Sequence, residues 1–274
     1  MKKATKKQQI NGAVLFEGPS AIDGQPIVLI ITQMAQESSN RKTGHMVQTY
    51  ILRQDIKPIE AAKSGADISI CGDCKHRPSL AKTNGEAKCY VNIGQGAGSV
   101  WGAYKRGSYP KLSVSELVAT GILQDKAVRF GSYGDPAACP IEIFQTIAAN
   151  CARFTGYTHR WRDANFNQDW ANLLMASVDN TFEQFEAIAK GYRYFRVQLG
   201  TSKPSKGEIS CPASKEAGNL TTCAACCLCA GNSKKAKNIV IQDHGIGWQK
   251  RQQIADAKNS MAEKNFFNVL IENL

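Results

Sequence analysis

The chain of 274 residues has no long apolar run. Its longest, residues 27–31 (I-V-L-I-I), falls far short of the ~20 residues that a membrane-spanning helix needs, so no spanning segment is expected. The basic opening, Met1-Lys2-Lys3-Ala4-Thr5-Lys6-Lys7, is not followed by an apolar stretch. That excludes the pattern of a secretory signal and predicts a soluble, cytoplasmic protein. Internal repeats and low-complexity tracts are absent, so a repeat array is not expected. Acidic residues are the scarcer charge, 23 against 34 Lys and Arg, which leaves a net charge of +11 and a pI near 9.2. This balance permits a polyanion such as nucleic acid as a partner without establishing one. The lysine-rich tail reads either as a frayed, solvated end or as a phosphate-seeking arm.

What the chain does have is enough apolar matter for a packed core, 43% hydrophobic against 21% charged residues. Residues 1–66 read as a β-rich segment: strands over 13–16, 26–32 and 46–53, with a turn at Asp23-Gly24 and a polar loop over 37–44. From about Asp67 the pattern changes to alternating strands and helices. Ile68-Ser69-Ile70 reads as a strand leading into Cys71. A helix over 113–120 carries Ser113 as its cap with Glu116 three residues on. A strand at 127–130 runs into Gly131-Ser132-Tyr133-Gly134-Asp135-Pro136, and a helix follows from Pro140 to 153. Strands at 155–158 and 173–177, a helix over 181–190 capped by Asn180, and strands at 192–199, 208–210 and 238–242 complete a core over 67–247. A C-terminal helix is expected within 248–274. Such alternation implies parallel strands with right-handed crossovers. The expected fold is therefore α/β, either a partial (β/α) barrel or an open parallel sheet, with a cysteine-rich metal-binding loop. In both architectures function sits at the carboxyl ends of strands. Cys71, Asp135, His159, Asp179, Cys211 and His244 all fall just after predicted strands.

Ten cysteines are many for a chain expected in a reducing compartment, where clustered thiols serve as metal ligands more readily than as disulfides. Cys211, Cys223, Cys226 and Cys229 are spaced C-x11-C-x2-C-x2-C. Two-residue gaps let successive thiolates turn inward on one centre, and four thiolates complete either a tetrahedral zinc site or a cubane iron–sulfur cluster. Cys227 breaks that register and reads as a spare thiol. A second set is Cys71-Gly-Asp-Cys74 with Cys89, fourteen residues lying between Cys74 and Cys89. Three cysteines leave a fourth position to His76, Asp73, water or a small molecule, and an open position is what a catalytic metal needs. The two sets can also be read as one shared centre. Cys139 and Cys151 read as core residues.

At these cysteines the chain resembles a group of uncharacterised phage and mobile-element proteins. Those proteins carry a C-x2-C or C-x3-C pair, a Cys-Tyr pair and a Cys-Pro-Ala…C-x2-C-x2-C block. Through them the chain is distantly similar to the radical-SAM superfamily, which binds a [4Fe–4S] cluster through three cysteines after the first barrel strand. The resemblance implies that Cys71, Cys74 and Cys89-Tyr90 match the three-cysteine loop, and that Cys211, Cys223, Cys226 and Cys229 match an auxiliary-cluster block. It further implies phage or plasmid origin, one or two [4Fe–4S] clusters and a redox or radical-type enzyme. The chain departs from the superfamily in the fourteen residues before its third cysteine. It also lacks a clear Gly-Gly-Glu for the methionine amino group of S-adenosylmethionine. The likeness therefore speaks for a cluster-bearing α/β fold more than for that cofactor.

Other residues offer weaker signals. Gly94, Gly96 and Gly98 form a glycine-rich loop opening a helix, which can cradle phosphate or simply be flexible; the Lys-Ser/Thr of a P-loop and the dinucleotide spacing are missing. Asp135 can bind a ribose hydroxyl, act as a base or cap a helix. His159 and His244 are candidate proton carriers or ligands, and Asp179 reads as part of a helix cap. Two strips, Trp101 with Tyr104, Lys105 and Arg106, and Tyr157 with His159, Arg160, Trp161 and Arg162, interleave aromatics with cations. Such strips stack bases or belong to a core with solvated cations. The rival to the cluster reading is thus a zinc-stabilised nucleic-acid-binding protein without catalysis.

Overall fold

The computed structural model describes residues 10–36, 40–80, 89–199 and 203–243, together with 249 and 253. The chain opens as an antiparallel meander of β1 (Gly12–Pro19), β2 (Pro26–Thr32) and β3 (Val47–Arg53). The turn between β1 and β2 uses Gly24 at φ 75°, and the Gln25 amide donates to Asp23 Oδ1 at 3.1 Å. β3 is buried at every residue and β2 at all but its first. Both faces of these strands are covered, which is why their sequences run apolar continuously instead of alternating.

The α/β part follows with α1 (Pro58–Ser64), α2 (Ile68–Cys71), a π-helical turn over Ile93–Ala97 that continues into α3 (Gly98–Lys105), and α4 (Val114–Ala119). Then come β4 (Ala127–Tyr133), α5 (Ile141–Asn150), β5 (Arg153–Thr158), β6 (Met175–Val178) and α6 (Thr181–Ala189). β7 (Tyr194–Gln198), β8 (Glu208–Ser210), α7 (Cys223–Cys226) and β9 (Asn238–Gln242) complete it. The nine strands lie in the order β1-β2-β3-β4-β5-β6-β7-β9-β8, and every pairing from β3 onward is parallel. The sheet is open, with β1 and β8 as its edges, so of the two expected architectures the barrel is set aside. The β-rich beginning joins the same sheet through the β3–β4 pairing. Among the described residues no helix is long and apolar enough to cross a membrane.

Local chemistry accounts for most boundaries. Ser113 and Glu116 form a reciprocal capping box, Asn180 caps α6 through the Glu183 amide, and Pro140 sits at the start of α5. Ile68-Ser69-Ile70 is a correction: these residues form α2. A short apolar run cannot by itself separate strand from helix. Here tertiary contacts decide. Ser69 is wholly buried, receives Arg53 at 2.9 Å and donates to Asp23 at 2.7 Å, whereas Ile68 is exposed. The expected C-terminal helix lies outside the described residues apart from 249 and 253, and so does the N-terminal tail.

The two faces of the parallel strands are covered differently. Val128, Phe130 and Phe154 pack with Phe144 of α5, with ring centroids 5.0–5.3 Å apart. Because side chains alternate along a strand, Arg129, Thr155 and Tyr157 point the other way. That second face carries a smaller cluster of Met175, Ile239, Ile241, Cys211 and Ala213. Its cover is the cysteine-rich loop.

Candidate metal centres

Cys211, Cys223, Cys226 and Cys229 line one cavity of about 30 Å³, closed by Arg129, Thr155, Tyr157 and Ile239 from the sheet. Each sulfur is placed by backbone bonds. The Cys211 amide donates to Val240 O at 2.8 Å, just past β8. Cys223 and Cys226 are the first and last residues of α7, three apart and so on one helical face. Thr222 caps that helix, and the amides of Cys223 and Ala224 donate to Lys42 and Thr43. Cys227 ends α7 in the left-handed region at φ 47°, turning the chain so that Cys229 reaches the same cavity. Its own thiol donates to the carbonyls of Cys223 and Ala224, as befits a spare cysteine. Beyond Cys229 the loop wedges between β5 and the run into β6: Gly156 N donates to Cys229 O, and Gly231 N donates to Leu173 O. A side chain at 231 would meet Ala171 O and Leu174 N at 2.6 Å, so only glycine fits.

Cys71, Cys74 and Cys89 form a second, separate group. The Cys71 thiol feels Cys74 and Cys89, and that of Cys229 feels Cys211, Cys223 and Cys226. The cavity lined by Cys211, Cys223, Cys226 and Cys229 does not include the other three, so the two sets stand apart. α2 brings Cys71 to the carboxyl end of β4 because the Asp135 amide donates to Ile70 O at 2.6 Å. The buried Asp67–Arg77 pair, at 3.1 Å, clamps the base of the loop that carries Cys74. Tyr90, next to Cys89, donates to Asp243 at the end of β9, at 2.5 Å. Both side chains considered as fourth ligands are engaged elsewhere, Asp73 with Arg162 at 3.0 Å and His76 with Asp179 at 3.1 Å.

All ten cysteines are free thiols. Burial, with like-charged neighbours, pushes the Cys71 thiol far up and those of Cys74 and Cys229 to about 12. Burial also raises Cys223, against the pull of Arg129. A bound cation would reverse that shift, because a coordinating thiol is deprotonated. Among the described residues no three cysteine sulfurs lie within 4.8 Å of one another; the trio that does offer ligand atoms so close is His76, His159 and Asp179.

Of the remaining expectations, Asp135 is fully committed. One carboxylate oxygen accepts from Ala137 N at 3.0 Å, and the other accepts from Thr158 Oγ1 and His159 N at 2.9 Å. It is a buried clasp joining the ends of β4 and β5 as well as a helix cap. Burial raises its carboxyl to about 6 against those bonds. Gly131 (φ 69°) and Gly134 (φ 84°) let the chain turn there, since a Cβ would strike Gly134 O at 2.5 Å or Ile51 O at 2.7 Å. The Gly94, Gly96 and Gly98 stretch is helical: Gln95 N bonds Asn92 Oδ1, Gly96 N bonds Asn92 O and Gly98 N bonds back into the turn. Those donors are spent, so an open phosphate cradle is not formed. Burial holds His159 neutral, its pKa near 3. His244 lies outside the described residues.

The aromatics of the two strips are partly or wholly buried, and Lys105 and Arg106 are exposed. Trp101 Nε1 donates to Arg53 O at 2.9 Å, Tyr104 donates to Glu17 at 2.6 Å, and Trp161 is wholly buried. Cys139 is buried and Cys151 half-buried beside the core, as expected. Missed in the sequence is Arg193, whose buried guanidinium donates to the carbonyls of Leu228 (2.7 Å), Ala230 (2.9 Å), Ala236 (3.0 Å) and Lys237. It staples the cysteine loop to β7, and nothing local to G-Y-R-Y-F-R signals that role. No protein-family model matches the chain, and no curated protein or solved structure is significantly similar to it.

Proposed function

We propose that the protein is an iron–sulfur protein with two [4Fe–4S] sites, one built from Cys211, Cys223, Cys226 and Cys229 and one from Cys71, Cys74 and Cys89. The observation that carries the reading is the single cavity on which the four C-terminal cysteines converge. Four thiolates on one tetrahedral zinc stand only about 3.8 Å apart, given a Zn–S bond of about 2.3 Å. A cluster interposes iron and sulfide and spreads its thiolates further. Four cysteines lining one cavity suit either centre, and the tight C-x2-C-x2-C spacing favours the cluster. In the second group three cysteines leave one iron without a thiolate. That position at the carboxyl ends of the strands suits a redox enzyme that coordinates a small molecule there. A bound cluster supplies one-electron chemistry, and the chain's own residues hold it in place and limit water.

Anaerobic purification tests this. The expected product is brown, absorbs near ~400 nm through thiolate-to-iron charge transfer and carries iron and acid-labile sulfide in equal amounts. Colourless protein with stoichiometric zinc at the Cys211–Cys229 group would overturn it. The nucleic-acid reading keeps the net charge of +11 and the exposed Lys105 and Arg106 as support, while Trp101, Tyr104 and Trp161 are engaged in the fold.

A further inference from the structure

We propose that His76, His159 and Asp179 form a site for one divalent transition-metal ion, separate from both cysteine groups. The three residues come from three segments: the loop after Cys74, the end of β5 and the end of β6. Each offers one ligand atom, and the three atoms lie within 4.8 Å of one another. His76 Nε2 stands 3.1 Å from Asp179 Oδ1, and His159 Nε2 stands 4.0 Å from Asp179 Oδ2.

The second observation is what these atoms lack. The Asp179 side chain is 6% exposed. Its Oδ2 and the facing His159 Nε2 are both buried without a hydrogen-bond partner. A buried carboxylate oxygen and a buried imidazole nitrogen that face each other unbonded are costly unless something positive lies between them. Bonds of about 2.0–2.2 Å at tetrahedral angles place two ligand atoms about 3.4 Å apart. The separations of 3.1 Å and 4.0 Å fall on either side of that value, so small side-chain rotations bring the three atoms onto one ion.

Two imidazoles and one carboxylate leave coordination positions open and suit zinc, iron(II) or manganese(II) rather than a soft ion. The opposing charges are Lys75, 3.6 Å from the carboxylate, and Arg162, 3.8 Å from it. Arg162 is held aside by Glu183 at 3.1 Å and Asp73 at 3.0 Å. The Lys75 side chain is 37% exposed and can turn outward. Without an ion, Asp179 would serve as their counter-charge and as the partner of His76, and His159 Nε2 would stay unpartnered.

The test uses the full chain, purified anaerobically and titrated with manganese(II), which thiolates hold poorly. Electron paramagnetic resonance counts free and bound ion. The expected result is one manganese per chain, displaced by zinc, with nitrogen modulation from imidazole in the pulsed spectrum. Asp179→Asn and His159→Gln should each weaken binding about 100-fold or more, the upper end for loss of a supporting group. Iron and sulfide content measured on the same samples reports the cysteine centres, so the two readings fail separately. The pulsed measurement on the unchanged chain decides the matter even if a variant does not fold. No bound manganese or zinc beyond the cysteine sites would overturn the proposal, as would bound manganese without nitrogen modulation. Nitrogen coupling on the cluster's own signal would also overturn it, by making His76 that cluster's fourth ligand.

Discussion

The two cysteine groups share their chemistry but differ in what surrounds them. The Cys211–Cys229 group lies against one face of the sheet among Ile239, Met175 and Tyr157, and its loop covers a surface that other α/β units cover with a helix. The Cys71, Cys74 and Cys89 group lies at the carboxyl ends of the strands, where Asp67 and Asp135 bear on its thiols, Asp179 bears on Cys74, and His76 and His159 stand close by. Polar, titratable neighbours in an open setting serve chemistry, and an apolar, fully ligated setting serves structure. On the proposed reading the first group is a building element of the fold, and the second is the place for a reaction.

The sharpest way to break this comparison is to remove one thiolate from each group. Cys226→Ser should strip the sheet-face centre and uncover the core beneath it. The expected loss is about 3–5 kcal/mol, or roughly 10 °C in thermal midpoint for a chain of this size, because metal binding there is folding energy. Cys74→Ser should lose a similar share of iron with a much smaller shift. Equal shifts in thermal unfolding would erase the distinction.

Arg193→Ala tests the staple. It leaves up to four carbonyls, one buried and the others partly buried, without their charged donor. A cost of about 3 kcal/mol is expected, at about 1–3 kcal/mol for each group left buried and unpaired. Iron should be lost first from the sheet-face group, as measured by metal content after mild warming. Unchanged retention would show that the loop needs no staple.

Asp135 adds a pH test at the other group. Its carboxyl is raised from the usual 3.8 to about 6. Both states are protonated below the lower value and both are ionised above the upper one. Between them the folded chain binds the extra proton, so stability falls as pH rises from about 4 to 6. At about 1.4 kcal/mol per pKa unit, this group accounts for about 3 kcal/mol of that slope. Denaturant titrations of the chain and of Asp135→Asn across this range should differ by that slope, and parallel curves would refute the assignment.

The smallest effect is expected for Cys227→Ala. Its thiol bonds only to carbonyls of its own helix, so iron content should stay unchanged and stability should move by about 1 kcal/mol or less.

Much of this was legible locally. Strands β2 and β3 follow from apolar runs, α4 and α6 from Ser113 with Glu116 and from Asn180, and the two cysteine groups from their spacing. Each rests on interactions within a few residues. What misled was equally local: Ile68-Ser69-Ile70 alternates like a strand, yet Arg53 and Asp23 hold it helical from a distance. Gly94, Gly96 and Gly98 look like an anion cradle until their neighbours' amides are seen to be spent within the turn.

By itself the sequence determined the α/β class, the parallel core and which sulfurs belong together, because helix caps, strand periodicity and C-x2-C loops act over short stretches of chain. Only the tertiary structure decided that the sheet stays open, that the cysteine groups are two, and that His76, His159 and Asp179 meet. Those outcomes depend on strand order and on contacts between distant residues, such as His76 with Asp179, 103 positions apart, and Tyr90 with Asp243, 153 positions apart. Spacing along the chain carries no record of which distant side chains the folded sheet will bring face to face.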